Sequence, residues 1–467
     1  GALSVALSGL QASTAASQII SSNVSNAQTP GYTSKNIELT SSVLGDAVVS
    51  GYSRVSDSVL SATLNAATSN ASYLSTQNGF MNQVQEILDS SGDPPALAGA
   101  ISNFQSAWTQ YAASSDSSIQ QQSVISAGQQ LVSTVNNIAS QASALQTQVQ
   151  GDLSTTVSSL NTDLTKVQTL NNQIATARAD NQPTGNLEDQ RDQAVNAISA
   201  IANVQVMQRS GDQIAIYTPG GSALLDGGSA QVFSVSVSGD SVINALGADV
   251  SGILTGGTLQ AQTDFLSTSS STANGVGVVN KIISQLQNFA NLFVGGTTNS
   301  GSFAATYNPS GNAASSFFSA TLDGNGLPEL ATFVVNPSLV SGATTLNTAT
   351  ATATANTFTA TNLAVAAPAG TTSGTFTATG LTTTNQTYAQ IASSILSGFQ
   401  QAANAIQTAS TSATAQQTYY QSALSSETGV NTDTELVNLT NWQNSYAASA
   451  HVISTIESMF TVLEGMV

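Results

Sequence analysis

The sequence predicts a mainly α protein with inserted β segments, in which helices from the two ends pair as a coiled coil beside a helical body that is discontinuous along the chain. Three observations point there. Apolar residues recur every three or four positions near both ends and through the long middle. Proline is missing between Pro95 and Pro183 and again after Pro368, so long helices are permitted in both intervals. From Val204 onward, two stretches switch to a period of two, the repeat of strands.

Taken in order, Leu3, Leu7, Leu10, Ile20 and Val24 fall within one arc of a first helix, which Thr29-Pro30-Gly31-Tyr32 stops. Leu131, Val135, Ile138, Ala142, Leu145 and Val149, then Leu160, Leu164, Val167, Leu170 and Ile174, describe a long helix with Gln and Ser on its other face. Asn186 to Ile201 reads as a further helix, with Glu188 and Asp189 in the first turn, where the helix dipole favours anions. Val204-Gln205-Val206, Gln213 to Tyr217 and Val232 to Val237 alternate as strands, with Gly220-Gly221 as a turn. Helix returns at Leu259 to Leu266 and at Val278 to Phe293. Two-residue alternation from Phe303 to about Thr384, including Ala349 to Ala355 with Thr at every second position, predicts an outer β-rich domain looped away from the body.

From Tyr388 the chain reads as helix to its end, broken near Thr428-Gly429. Its last part carries a seam spaced three, four, three, four through Leu439, Trp442, Tyr446, Ser449, Ile453, Ile456, Phe460, Leu463 and Val467. The expected division is a terminal coiled-coil domain from 1–48 and 426–467, a helical middle domain from 49–202, 256–302 and 386–425, a β-subdomain at 203–255 and the outer β-rich domain at 303–385.

Composition narrows the function. Only 7% of residues are charged, and the formal net charge is -18, with no Lys or Arg after Lys281. Nucleic acid is a poor partner for such a surface, and so is an anionic membrane. A polar but non-ionic surface suits a subunit packed among copies of itself, because a hydroxyl or amide costs less to bury than an ion. It equally suits a secreted protein with a neutral exterior. The chain has no Cys, which excludes disulfides and thiolate metal sites. No basic n-region with an apolar core opens the chain and no 18-residue apolar run occurs, so membrane insertion is not expected, and export would proceed without a cleaved signal peptide.

Catalytic and cofactor patterns are not found. His451 is the single histidine, set in a helix among Ala448, Ala450 and Val452, where a packing or surface role is a better account than general-base work. Glu188, Asp189 and Asp192, with Arg191 beside them, and Asp433 with Glu435, read as helix starts. Asp323-Gly324-Asn325-Gly326 opens like a calcium loop, but Val334 stands where the twelfth-position Glu would be, and a turn is expected. Catalytic, metal and cofactor sites are therefore all expected to be none.

Ala6-Leu7-Ser8-Gly9-Leu10-Gln11-Ala12 and Ser22-Asn23-Val24-Ser25-Asn26-Ala27-Gln28-Thr29-Pro30-Gly31-Tyr32 resemble the N-terminal signature of bacterial flagellar axial proteins. Glu435-Leu436-Val437-Asn438-Leu439 and Gln443-Asn444-Ser445-Tyr446-Ala447-Ala448-Ser449-Ala450 resemble the same family's other end. Within it, Leu170 to Ile174, Asn186-Leu187-Glu188-Asp189-Gln190-Arg191-Asp192 and Gly256-Gly257-Thr258-Leu259 are similar to the hook-associated protein 1 (FlgK-type) family.

The resemblance implies a structural subunit at the hook–filament junction. It would meet itself in a ring, the hook protein, a second junction protein of FlgL type, and a cytoplasmic chaperone before type III export. The expected self-assembly residues are Leu3, Leu7, Leu10, Ile20, Val24, Leu439, Trp442, Tyr446, Ile453, Ile456, Phe460 and Leu463. The chaperone is expected on Ile453, Ile456, Phe460 and Leu463. A hook or distal-rod subunit and, further off, a glycan-binding adhesin are the competing readings. One seam alone stabilises less than ordering its backbone costs, so both ends are expected to stay disordered in a lone subunit.

Overall fold

The computed structural model describes residues 2–42, 46–88, 96–180, 182–267, 277–294, 302–308, 315–361 and 386–466. Its spine is one helix, α4 (Ser118–Ala179), of 62 residues. Ser117 caps it, its hydroxyl accepting from the backbone N–H of Gln120. The apolar positions legible in the sequence are the ones buried, from Leu131 through Val149 and on to Ile174, with Leu153 and Val157 bridging the two runs.

Around this spine lie α2 (Ser58–Leu88), α3 (Ala96–Ala113), α5 (Gly185–Ile201), α6 (Gly257–Leu266), α7 (Val278–Val294) and α11 (Tyr388–Thr428). α2 and α11 pack along each other although more than 300 residues separate their starts, which makes the body discontinuous as expected. A Thr387–Gln390 capping box opens α11. The α5–α6 junction needs glycine. Gly256 and Gly257 have φ of 74° and 65°, and a Cβ on Gly257 would overlap the carbonyl of Ile201.

The β-subdomain is a four-stranded antiparallel meander in sequence order, β3 (Gln205–Gln208), β4 (Ile214–Tyr217), β5 (Ala223–Asp226) and β6 (Ser229–Ala230), followed by the pair β7 (Phe233–Val235) and β8 (Val242–Asn244). Two amides of α4 clip it to the spine. Asn171 donates to the carbonyl of Ile214 (2.8 Å) and accepts from its N–H (3.2 Å), while Asn161 does the same with Phe233 at 2.8 and 2.9 Å. Each side-chain amide offers one donor and one acceptor, as a neighbouring strand would.

The Thr-rich segment departs from expectation. Within the described part of 303–385, strand is limited to β9 (Phe318–Ser319) and β10 (Val334–Val335). The rest includes α8 (Phe303–Tyr307), α9 (Pro337–Val340) and α10 (Ala351–Thr357), so the alternating Ala–Thr run is largely helical. Residues 362–385 of that expectation lie outside the described residues. Nor does the described part loop outward. Phe104 on α3 lies 5.5 Å, centroid to centroid, from each of Phe303, Phe317, Phe318 and Phe358, and Tyr388 on α11 accepts from the N–H of Phe303 at 2.6 Å. Aromatic burial at irregular spacing decides the placement, whereas Thr at every second position gains nothing without a partner strand.

Asp323-Gly324-Asn325-Gly326 is a turn: the Asp323 carboxylate accepts from the N–H groups of Asn325 and Leu327, both at 2.9 Å. Among the described residues, no helix is long and apolar enough to cross a membrane.

Candidate assembly interface

The two ends meet in one chain. α1 (Ala2–Asn26) and α12 (Thr432–Glu464) pack side by side, and a hairpin of β1 (Lys35–Ser41) and β2 (Ala47–Arg54) sits at their foot. The direction of pairing follows from two points. At the foot, Asn23 Nδ2 donates to Glu435 Oε1 at 3.0 Å; farther along, the Oγ of Ser449 stands 2.7 Å from where a Cβ on Gly9 would lie. Moving up α12 is moving back along α1, so the pair is antiparallel. Continuing the register sets Ala2 about level with Ile456, and Met459, Phe460, Val462, Leu463 and Met466 extend past the described part of α1.

The face that α1 gives to α12 is not the leucine arc. Ala6, Gly9, Ser13, Ala16, Ile20 and Asn23 form a three-four repeat of mostly small residues, and all but the half-buried Gly9 are buried. Small side chains let the helix axes approach closely. Leu3 and Leu7 instead remain 49% and 50% exposed, Val24 is exposed, and Leu10 is half-buried. On α12 the predicted seam does face α1: Leu439, Trp442, Ser449, Ile453 and Ile456 are half-buried, while Tyr446 is more open. Phe460 and Leu463 stay 59% and 58% exposed. His451 is exposed on α12.

The single chain thus already pairs its ends, against the expectation of disorder. The physical reason lies at the foot, where polar groups supply an anchor that a hydrophobic scan cannot see. Asn23 Nδ2 donates to Lys35 O (2.9 Å) and to Glu435, and its Oδ1 accepts from Lys35 N (3.1 Å) and from the Tyr32 hydroxyl (3.0 Å). Ser34 N–H donates to the carbonyl of Thr428 at 2.8 Å, tying the turn after α1 to the end of α11. Gly31 has φ of 76°, and a Cβ there would lie 2.7 Å from the Gln193 amide of α5, whose Nε2 also donates to Pro30 O.

The hairpin is then fixed to α5 by charge. Lys35 Nζ meets Asp189 Oδ2 at 2.6 Å, and Arg54 meets Glu188 at 2.7 Å, Asp192 at 2.6 Å and Asp189 at 3.3 Å. Thr33 Oγ1 also donates to Asp189 at 2.7 Å. Burial pushes the Lys35 ammonium below its ordinary value despite Asp189. Burial would raise the Glu188 carboxyl, but the Thr184 hydroxyl and Arg54 outweigh it and hold the group below the usual range. For Asp192 burial wins, and its carboxyl is raised.

The expected account of Glu188 and Asp189 by dipole alone therefore needs correction: their partners are Lys35 and Arg54 from the hairpin, while the adjacent Arg191 turns to Asn171 and the carbonyl of Asp212. Glu435, expected as a helix-start residue, is buried against Asn23, and Asn431 caps α12. The missed residues are Asn23, Lys35 and Arg54. With seven basic side chains in the sequence, their scarcity was the available signal.

A family model described as the flagellar hook-associated protein FlgK helical domain matches residues 81–305. Models for the flagellar basal body rod protein and for the C-terminal part of the rod proteins FlgEFG match 3–33 and 420–466. Flagellar hook-associated protein 1 of Bacillus subtilis strain 168 is 26% identical over 220 residues, which is 44% of this chain and 43% of that protein. Over these stretches the chain is similar to FlgK-type hook-associated proteins. The protein of the same name from Escherichia coli K12 is 27% identical over 247 residues, covering 50% of this chain and 45% of the relative. The chain therefore spans less than half the length of the curated relatives it matches. A solved structure titled as the flagellar hook junction protein FlgK from Burkholderia pseudomallei is 26% identical, with a TM-score of 0.46 over 56% of this chain and 47% of that one. Of the stretches that carry the resemblance, the Pro30-Gly31-Tyr32 turn meets Gln193, just past Glu188 to Asp192, whose carboxylates take Thr33, Lys35 and Arg54.

Proposed function

We propose that this chain is a structural, non-enzymatic subunit of the bacterial flagellum that forms the junction between hook and filament, built into a helical tube through its paired terminal helices. One observation carries the reading: the terminal pair is anchored at its foot but leaves Tyr446 along its length and Leu3, Leu7, Phe460 and Leu463 at its far end open to solvent, so its apolar surface is only partly covered within one chain. Neighbouring copies would cover the remainder in a ring, with Leu10, Ile20, Val24, Leu439, Trp442, Ile453 and Ile456 lining the same pair. The names of the relatives, flagellar hook-associated protein 1, support placing that ring beside the hook; a second junction protein of FlgL type would sit above it. That placement would put the chain outside the cell, exported by the flagellar apparatus.

The same open end accounts for a cytoplasmic chaperone, which would shield Ile453, Ile456, Phe460 and Leu463 before export. The match of the helical-domain description to 81–305 favours this role over a hook or distal-rod subunit.

Electron microscopy of a deletion strain tests the assignment. Hooks without filaments, with flagellin in the medium, are expected; normal filaments would reject it. The Ile456→Asp, Phe460→Asp variant is expected to lose both chaperone binding and filament growth, and retention of both would remove these residues from the interface.

A further inference from the structure

The terminal pair has no share in the apolar core. Among the described residues that core runs from Phe80 to Ala403 and takes in no side chain of α1, the β1–β2 hairpin or α12. Besides the two chain crossings, the body holds the hairpin by polar contacts: Gln193 on Pro30, and the ionic cluster of Lys35 and Arg54 with Glu188, Asp189 and Asp192. Four of the seven basic residues, Lys35, Arg54, Arg178 and Arg191, gather there. Arg178, from the end of α4, reaches Glu188 at 3.6 Å and Asp212 at 2.6 Å, so the cluster joins the hairpin to the spine. All side chains of the inner pairs, Lys35–Asp189 and Arg54–Glu188, are at most 13% exposed.

We propose that this cluster is an orientation lock: it fixes the angle of the terminal helix pair on the middle domain, and removing its charges frees the pair to swing while both folded units persist. The chemistry favours such a role over a purely stabilising one. Buried ion pairs gain little net stability over apolar packing, but they demand one geometry, because a charge displaced from its partner is left unsolvated. Apolar joints tolerate sliding; this joint does not. Arg54 reinforces the demand by contacting three carboxylates from one guanidinium, and Lys35 Nζ, 3.3 Å from the centroid of the Tyr32 ring, is held from a second side. A subunit whose ends must meet neighbours in a fixed direction gains from having that direction set beforehand. The lock itself is a property of the single chain and does not depend on which assembly the chain joins.

The chain lacks Cys, so a spin-label pair can be placed uniquely. Thr40→Cys on the hairpin and Gln173→Cys on α4 are both at exposed positions. Pulsed electron resonance on the otherwise native full chain is expected to give one narrow distance distribution. The fourfold variant Lys35→Met, Arg54→Met, Glu188→Gln, Asp189→Asn leaves no unpaired charge among those four positions. It is expected to give a distribution roughly twofold wider or more, with the helical signal by circular dichroism unchanged. A wild-type width in a folded fourfold variant overturns the proposal. Should that variant lose helix, Asp189→Asn alone decides, since Arg54 keeps Glu188 and Asp192: broadening supports the lock and an unchanged width refutes it.

Discussion

Asn23→Ala tests whether the foot of the terminal pair is held by its polar anchor. The amide makes four hydrogen bonds, to Lys35 O, Lys35 N, Tyr32 Oη and the buried carboxylate of Glu435. A neutral bond contributes about 1 kcal/mol net, and one to a charged group about 1.5–3. Truncation also leaves buried partners unsatisfied, although water entering the gap recovers part of that loss. The expected cost is about 3–5 kcal/mol, borne locally because no residue of α1 or α12 joins the main core. Hydrogen exchange on the full chain reads it directly. Amides of α1 and of the first half of α12 are expected to exchange roughly a hundredfold faster or more, while those of α4 between Leu131 and Leu170 keep their protection. A change below about 1 kcal/mol in α1, or an equal loss in α4, would refute the anchor as the source of pairing.

Other outcomes follow from the same geometry. Gly257→Ala places a methyl against the Ile201 carbonyl at positive φ and is expected to lower body stability by about 2–4 kcal/mol, read as a lower urea midpoint with unchanged slope. Phe104→Ala is expected to cost about 3–5 kcal/mol and to expose α8 and α10 to exchange together with α3; loss confined to α3 would return the 303–361 segment to a separate unit. Glu188 is held below its ordinary value, so its contribution is complete above about pH 4.3 and is lost as pH falls through the lowered folded value. Comparing Glu188→Gln with the parent in urea melts from about pH 5 to 3, the variant should show the shallower acid loss, and parallel curves would contradict the assignment.

Periodicity made the helical skeleton legible because burial in a helix leaves a repeating apolar trace. Leu131 to Ile174 in α4 and Ile282 to Phe293 in α7 sit where their spacing put them, and the α12 seam is half-buried at Leu439, Trp442, Ile453 and Ile456 but open at Tyr446. Strands β3, β4 and β7 were visible for the same reason, with a period of two, while the short β5, β6 and β8 were not. Three things left no such trace. The α1 face is built from Ala, Gly and Ser, whose packing value is close approach and not hydrophobicity, so the exposed leucines drew the eye instead. The Thr-rich region carried a strand-like alternation, while its placement rests on phenylalanines at irregular intervals. The anchor joins residues up to 412 positions apart, and single polar side chains have no period to detect.

The two Asn clips on α4 set a further condition. Asn161 and Asn171 lie ten residues apart on one helix, about 15 Å along its axis, and each grips a different strand. One such grip would be a swivel, about which the meander could turn. The second, on the β7–β8 pair farther along the rod, resists that rotation, so the β-subdomain is carried by the spine, with Arg191 of α5 on the Asp212 carbonyl as a further hold.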